Sequence, residues 1–170
     1  MTEAELRELV DRQAIAEVLA DYVRGADRID IELIKSVFHP EATADYGAMF
    51  RGTGYGFADF IGSVHPEMDT HHHQLGSIAI RLDGDRAATE TYVTVHLRFT
   101  RPDGTSGLTV SLGRYLDEWE RRDGRWRIAA RRYLHHLDET RDCAAGQFAT
   151  TGARDRTDPV YGRVGVTGDE

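Results

Sequence analysis

From Thr70 to about residue 137 the chain repeats one arrangement, an extended stretch of β-branched and aromatic residues followed by a short turn built on Asp-Gly. Three such turns, "LDGD", "RPDGTSG" and "RRDG", separate stretches at about 70–82, 86–100, 108–121 and 125–137. Asp-Gly accepts the backbone angles that reverse a chain between antiparallel neighbours. The stretches therefore predict a four-stranded antiparallel meander.

Before Thr70 the pattern is helical. Thr2 and Glu5 have capping-box spacing, and Leu6, Leu9, Val10, Ile15, Val18, Leu19, Tyr22 and Val23 follow at three- and four-residue intervals, which predicts a first helix fading at Gly25. Asp30 can cap a shorter helix with the stripe Ile31, Leu33, Ile34, Val37 and Phe38, stopped by Pro40. "EATADYG" then reads as a short strand, "FRGTGYG" as a glycine-rich loop and "FADFIGSV" as a two-turn helix. Helices first and a meander after them make an α+β architecture, in which a curved antiparallel sheet wraps the helices. A chain of 170 residues supports one core better than two. Residues 1–137 are expected to form the domain. Residues 138–170, poor in large apolar side chains, read as an irregular tail.

Charge narrows the partners. The 21 basic and 29 acidic residues give a net charge of −8, and the basic ones are scattered, so nucleic acid is not expected. No apolar run approaches the roughly 20 residues that span a bilayer. The acidic amphipathic start is unlike a signal peptide and the single cysteine, Cys143, cannot close an internal disulfide, which together suggest a cytoplasmic protein.

The triplet His71, His72 and His73 lies in a chain with no other sign of metal or nucleotide chemistry. Strand alternation turns His71 and His73 to one face and His72 to the other, so at most two share a site. Which face lines a cavity, and whether Leu75, Ser77 and Ala79 or Ile78 and Ile80 accompany it, stays open. His96 on the next strand could supply a third nitrogen to a metal, but the usual zinc spacings are absent and no metal is expected. The histidines can be merely polar strand residues on a solvent face, or one of them, as a neutral imidazole oriented by a carboxylate, can do acid–base chemistry. Asp27, in "YVRGADRID" at the end of the first helix, is a candidate for that carboxylate.

The segments "AIAEVLADYVRGADRIDIELIKSVFHPEA", "HHHQLGSIAIRLDGDRAATETYV" and "GRYLDEWERRDGRWRIAARRYL" resemble the SnoaL-like branch of the nuclear-transport-factor-2-like superfamily, over residues 5 to about 137. Within that branch the likeness is to bile-acid 7α-dehydratase, γ-hexachlorocyclohexane dehydrochlorinase and, more distantly, scytalone dehydratase. The resemblance implies an α+β cone: a curved antiparallel sheet folded around an N-terminal helical hairpin and a third short helix, with a blind pocket inside. It further implies an Asp–His dyad, to which Asp27 and His73 correspond. His73 precedes Ser77 by four residues, where the family pattern has asparagine. Tyr22, Tyr46 and Arg131 match polar pocket residues, with Arg132 replacing Arg131 if the strand register slips by one. His96 matches a further polar pocket position. Phe50, Phe57, Phe60, Met49 and Met68 are candidates for an apolar lining.

The function implied is a cofactor-independent lyase of dehydratase type, acting on a small hydrophobic cyclic substrate such as a steroid or polyketide. The same dyad also serves isomerases, polyketide cyclases and hydrolases. The superfamily further includes non-catalytic ligand-binding proteins and dioxygenase small subunits. A homodimer or homotrimer is expected from the broad outer face of such a sheet.

Overall fold

The computed structural model describes residues 1–144 and 146–162. Helix α1 spans Glu3–Arg28 and starts at the Thr2/Glu5 capping box. It does not fade at Gly25. It continues to Arg28 and ends at Ile29, whose φ of 54° is left-handed, so Asp27 lies in the last helical turn. Gly25 serves close packing here: a Cβ at this position would stand 2.9 Å from Cγ1 of Ile34. Helix α2, Ile31–Ser36, folds back at once, with the Asp30 side chain accepting from the Leu33 amide at 3.1 Å.

Strand β1, Phe38–Asp45, follows directly and contains Pro40. Its pairing with the last strand is interrupted between Phe38 and Thr43, where a residue with no N–H to donate is tolerated. The glycine-rich loop holds a short strand, β2 (Arg51–Thr53), and Thr53 then caps helix α3, Gly54–Val64. The meander comprises β3 (Thr70–Asp83), β4 (Arg86–Thr100), β5 (Ser106–Arg122) and β6 (Arg125–Cys143). At the β5–β6 turn Asp123 and Gly124 both have positive φ, 51° and 74°, as a two-residue hairpin requires.

The sheet order is β2-β1-β6-β5-β4-β3. It is mixed rather than wholly antiparallel, because β1 runs parallel to β6. Strand β6 continues past residue 137 to Cys143, its polar end paired to Ser106–Ser111 of β5. The expected tail at 138–170 thus begins as sheet; residues 145 and 163–170 of it lie outside the described part of the chain.

The concave face receives α1. Ile15, Leu19 and Tyr22 are buried with Phe38, Val93, Trp119 and Ile128 in one core. Leu6, Leu9 and Val10, expected on the same stripe, are exposed, because a helix of 26 residues is about 39 Å long and its first turns project past this core. At the projecting end Asp11 is buried and accepts from Nη1 of Arg121 at 2.5 Å and the Trp126 indole at 2.9 Å.

Candidate active site

Register determines which histidines face inward. His73 pairs with Val95 and His71 with Leu97, whereas His72 pairs with His96. Directly paired residues share a face, so His96 lies with His72 on the convex side. His96 therefore does not line the pocket, contrary to expectation. Strict alternation also fails farther along β3. A bulge between Leu75 and Ile78 resets the phase, bringing Ile78, Ile80 and Leu82 opposite Thr91, Thr89 and Ala87 on the concave side. Ser77 falls within that bulge and is exposed, apart from His73.

Asp27 and His73 meet because the last turn of α1 crosses the start of β3. Oδ1 of Asp27 lies 2.6 Å from Nδ1 of His73, and both carboxylate oxygens accept from the His73 backbone amide at 3.1 Å. A carboxylate acceptor at Nδ1 assigns the ring proton to that nitrogen and leaves the Nε2 lone pair free. His73 is largely buried, with only 8% of its side chain exposed, yet it borders a cavity of about 710 Å³. That volume is within the usual range for small-molecule sites.

Tyr22, Tyr46, Phe57, Phe60, Met49 and Met68 line this cavity, together with Val95, Leu97, Tyr115 and Tyr133. The Tyr22 and Tyr46 hydroxyls are hydrogen-bonded at 2.8 Å. Burial raises the pKa of both, so each remains a protonated phenol at neutral pH. Phe50 is not on the wall. It packs behind it, with ring centroids 5.5 Å from Phe57 and 5.4 Å from Phe60.

Arg131 is likewise placed differently from expectation. Its side chain is wholly buried behind the tyrosines, with Nε and Nη2 donating to the Asp117 carboxylate at 2.7 and 2.8 Å. The guanidinium carbon lies 4.1 Å from the ring centroids of both Tyr22 and Tyr115. Burial by itself would lower the pKa of this arginine, but the Asp117 carboxylate outweighs it and holds the guanidinium well above its ordinary value. Arg131 thus touches the aromatic wall from outside. The neighbouring Arg132, with Arg51 and His135, borders the cavity at its mouth.

Sequence reasoning missed one histidine of the cavity wall. His65, just after α3, lines the cavity, and its ring stacks on His71 with centroids 4.0 Å apart. Both rings are buried, which depresses their pKa values to about 4 for His65 and about 3 for His71. Asp117 was also missed, although its place directly opposite Arg131 follows once the β5–β6 register is known. Among the described residues no group of three or more histidine, cysteine or acidic side chains is arranged to hold a metal ion, and no helix is long and apolar enough to cross a membrane.

Comparison with known proteins agrees with this construction. An uncharacterized protein of Mycobacterium tuberculosis is 29% identical over 126 residues, covering 73% of this chain and 84% of that protein. Among solved structures, a type 2 hexachlorocyclohexane dehydrochlorinase superposes with a TM-score of 0.72 at 20% identity, covering 87% of this chain and 99% of that one. A proposed scytalone dehydratase of Novosphingobium aromaticivorans gives 0.68 at 22% identity, covering 82% and 91%. At such identities the structural likeness speaks for the fold, which is the nuclear-transport-factor-2-like cone. The SnoaL-like domain matches residues 7–132, more than half of the sequence and all of the elements that build the cavity wall as far as Arg132, and the chain belongs to that SnoaL-like family.

Proposed function

We propose that the protein is a lyase that eliminates water from a hydrophobic cyclic substrate without a cofactor. The observation that carries this reading is the Asp27–His73 pair, 2.6 Å apart, at the wall of a cavity lined mainly by apolar and aromatic side chains. The names of the two structural neighbours, a dehydrochlorinase and a dehydratase, describe eliminations and agree with it.

In this reading Nε2 of His73 removes a proton from a carbon beside a carbonyl. Asp27 fixes the imidazole and stabilises the imidazolium that forms. The C–H electron pair moves into the carbonyl, and the resulting enolate accepts a hydrogen bond from the hydroxyl pair Tyr22–Tyr46. In a water-poor cavity such a donor acts more strongly than in bulk solvent. Collapse of the enolate forms the carbon–carbon double bond and expels the hydroxyl group, which leaves as water with the proton that His73 returns. Arg131 is a positioning residue: its charge on the faces of Tyr22 and Tyr115 favours hydroxyl donation from behind the wall.

The test is mass-spectrometric. Purified, chelator-treated protein is incubated with hydroxylated keto-steroid thioesters and aromatic polyketide alcohols. Loss of one water by the wild type and not by His73→Ala is expected. Binding without any such loss would favour isomerisation, cyclisation or ligand binding by the same dyad.

We also propose a homodimer or homotrimer formed through the convex face, where Tyr92, Leu112, Leu116 and Leu137 are exposed. Leu112→Arg should reduce the sedimenting mass in ultracentrifugation.

A further inference from the structure

His65 opens a single 3₁₀ turn, His65–Glu67, between α3 and β3. Its Nδ1 lies 3.3 Å from the Ala26 carbonyl oxygen. A carbonyl can only accept, so Nδ1 carries the ring proton and Nε2 keeps its lone pair. The Nδ1 edge is thus occupied, and one ring face is covered by His71 at 4.0 Å. The His73 ring lies 6.4 Å away at an interplanar angle of 29°, and both His65 and His73 border the cavity. The opposite edge of His65, which carries Nε2, is the one left to meet a ligand.

The surroundings hold the ring in this state. Burial, the main cause, keeps its pKa near 4, so the imidazole is neutral at pH 7. Arg154 from the C-terminal segment donates to the carbonyl of His65 at 2.5 Å and to that of Met68, pinning the turn. His71 behind it buries both ring nitrogens without a partner among the described residues. Packing alone would be served at less cost by apolar rings at these two positions.

We propose that Nε2 of His65 is a specificity-determining acceptor, which takes a hydrogen bond from a hydroxyl or N–H on the ring system that His73 deprotonates. The substrate class narrows accordingly to cyclic carbon acids that carry a second hydrogen-bond donor besides the departing hydroxyl. This deepens the lyase reading and rests on it for the position of the reacting carbon. The acceptor role itself can be tested without turnover.

Two inert probes separate the two claims: 2-naphthol, which carries a ring hydroxyl, and naphthalene, which does not. In ¹⁵N-labelled protein at pH 7, long-range proton–nitrogen NMR should report His65 as protonated at Nδ1 and bare at Nε2. Adding 2-naphthol should move the His65 Nε2 resonance, and naphthalene should not. His65→Phe should weaken 2-naphthol about tenfold, the effect of one hydrogen bond, and leave naphthalene unchanged. A proton on Nε2 in the free protein, a 2-naphthol shift confined to His73, equal losses for both probes in the variant, or no binding of 2-naphthol would each overturn the proposal. Because neither probe can eliminate water, absence of lyase activity alongside the expected His65 shift would refute the lyase reading alone.

Discussion

Asp27 holds His73 by both its ring and its backbone, with one carboxylate oxygen 2.6 Å from Nδ1 and both oxygens 3.1 Å from the amide nitrogen. The carboxylate thereby fixes the imidazole tautomer and ties the last turn of α1 to the start of β3. Those two tasks can be separated by substitution. His73→Ala leaves the backbone bond in place and should lower turnover by about 10²–10⁴-fold, the usual contribution of a positioned base, while the protein stays folded. Asp27→Asn should lose comparable activity, because an amide no longer stabilises the imidazolium. His72→Ala, on the convex face, should retain activity. Equal losses from His72→Ala and His73→Ala would contradict the assignment of faces.

Stability should fall on mild acidification because of the stacked pair His65 and His71. Burial lowers their pKa values to about 4 and about 3. In the unfolded chain each returns to about 6.5. Between about pH 6.5 and these lower values the unfolded chain binds more protons than the folded one, so stability is full above pH 6.5 and declines as pH falls. Each unit of difference corresponds to about 1.4 kcal/mol, so the pair together contributes a loss of several kcal/mol. Urea denaturation from pH 7 to pH 4 should show the decline, and His71→Phe should flatten it. A wild-type profile no steeper than that of the variant would count against the buried, neutral pair.

Arg131 and Asp117 both have fully buried side chains. Removing one partner leaves an uncompensated charge in the core, so Arg131→Met should destabilise by about 3–5 kcal/mol. The double variant Arg131→Met/Asp117→Leu should recover much of that loss, since two apolar groups leave no charge behind. Equilibrium denaturation of the three proteins checks this. If the double variant is as unstable as the single one, packing rather than charge is responsible.

Gly113 faces the Tyr133 ring so closely that an added Cβ would lie 2.5 Å from its Cζ. Tyr133 lines the cavity. Gly113→Ala should therefore displace this ring and weaken binding of ring compounds more than it lowers stability, a comparison that titration with 2-naphthol and a melting curve would make.

The parts legible in the sequence are those governed by local rules. The capping box at Thr2 and Glu5, the Asp-Gly turns and the period of two on the strands lead to the helix, the meander and the shared face of His71 and His73. The bulge between Leu75 and Ile78 was not legible, because one inserted residue changes the phase of a strand without changing its composition. Nor was the end of β6. "DETRDC" carries no apolar alternation and is sheet only because β5 offers it backbone partners. Arg131 matched a pocket position by likeness, yet its cross-strand partner Asp117 draws it out of the cavity. His96 was excluded only by its register with His72. His65 had no pattern of its own, since it follows a helix and precedes a proline; its role emerges from the approach of Ala26 and His71 in space.

Proton abstraction inside the cavity is the central claim, and it can be measured apart from any leaving group. The bicyclic ketone 2-tetralone, incubated with the protein in D₂O, should gain deuterium beside its carbonyl well above the buffer rate with the wild type. The excess should fall by about 10²-fold or more with His73→Ala or Asp27→Asn. Exchange at the same rate with all three proteins, or none above buffer with the wild type, would contradict the assignment of His73 as an Asp27-oriented base.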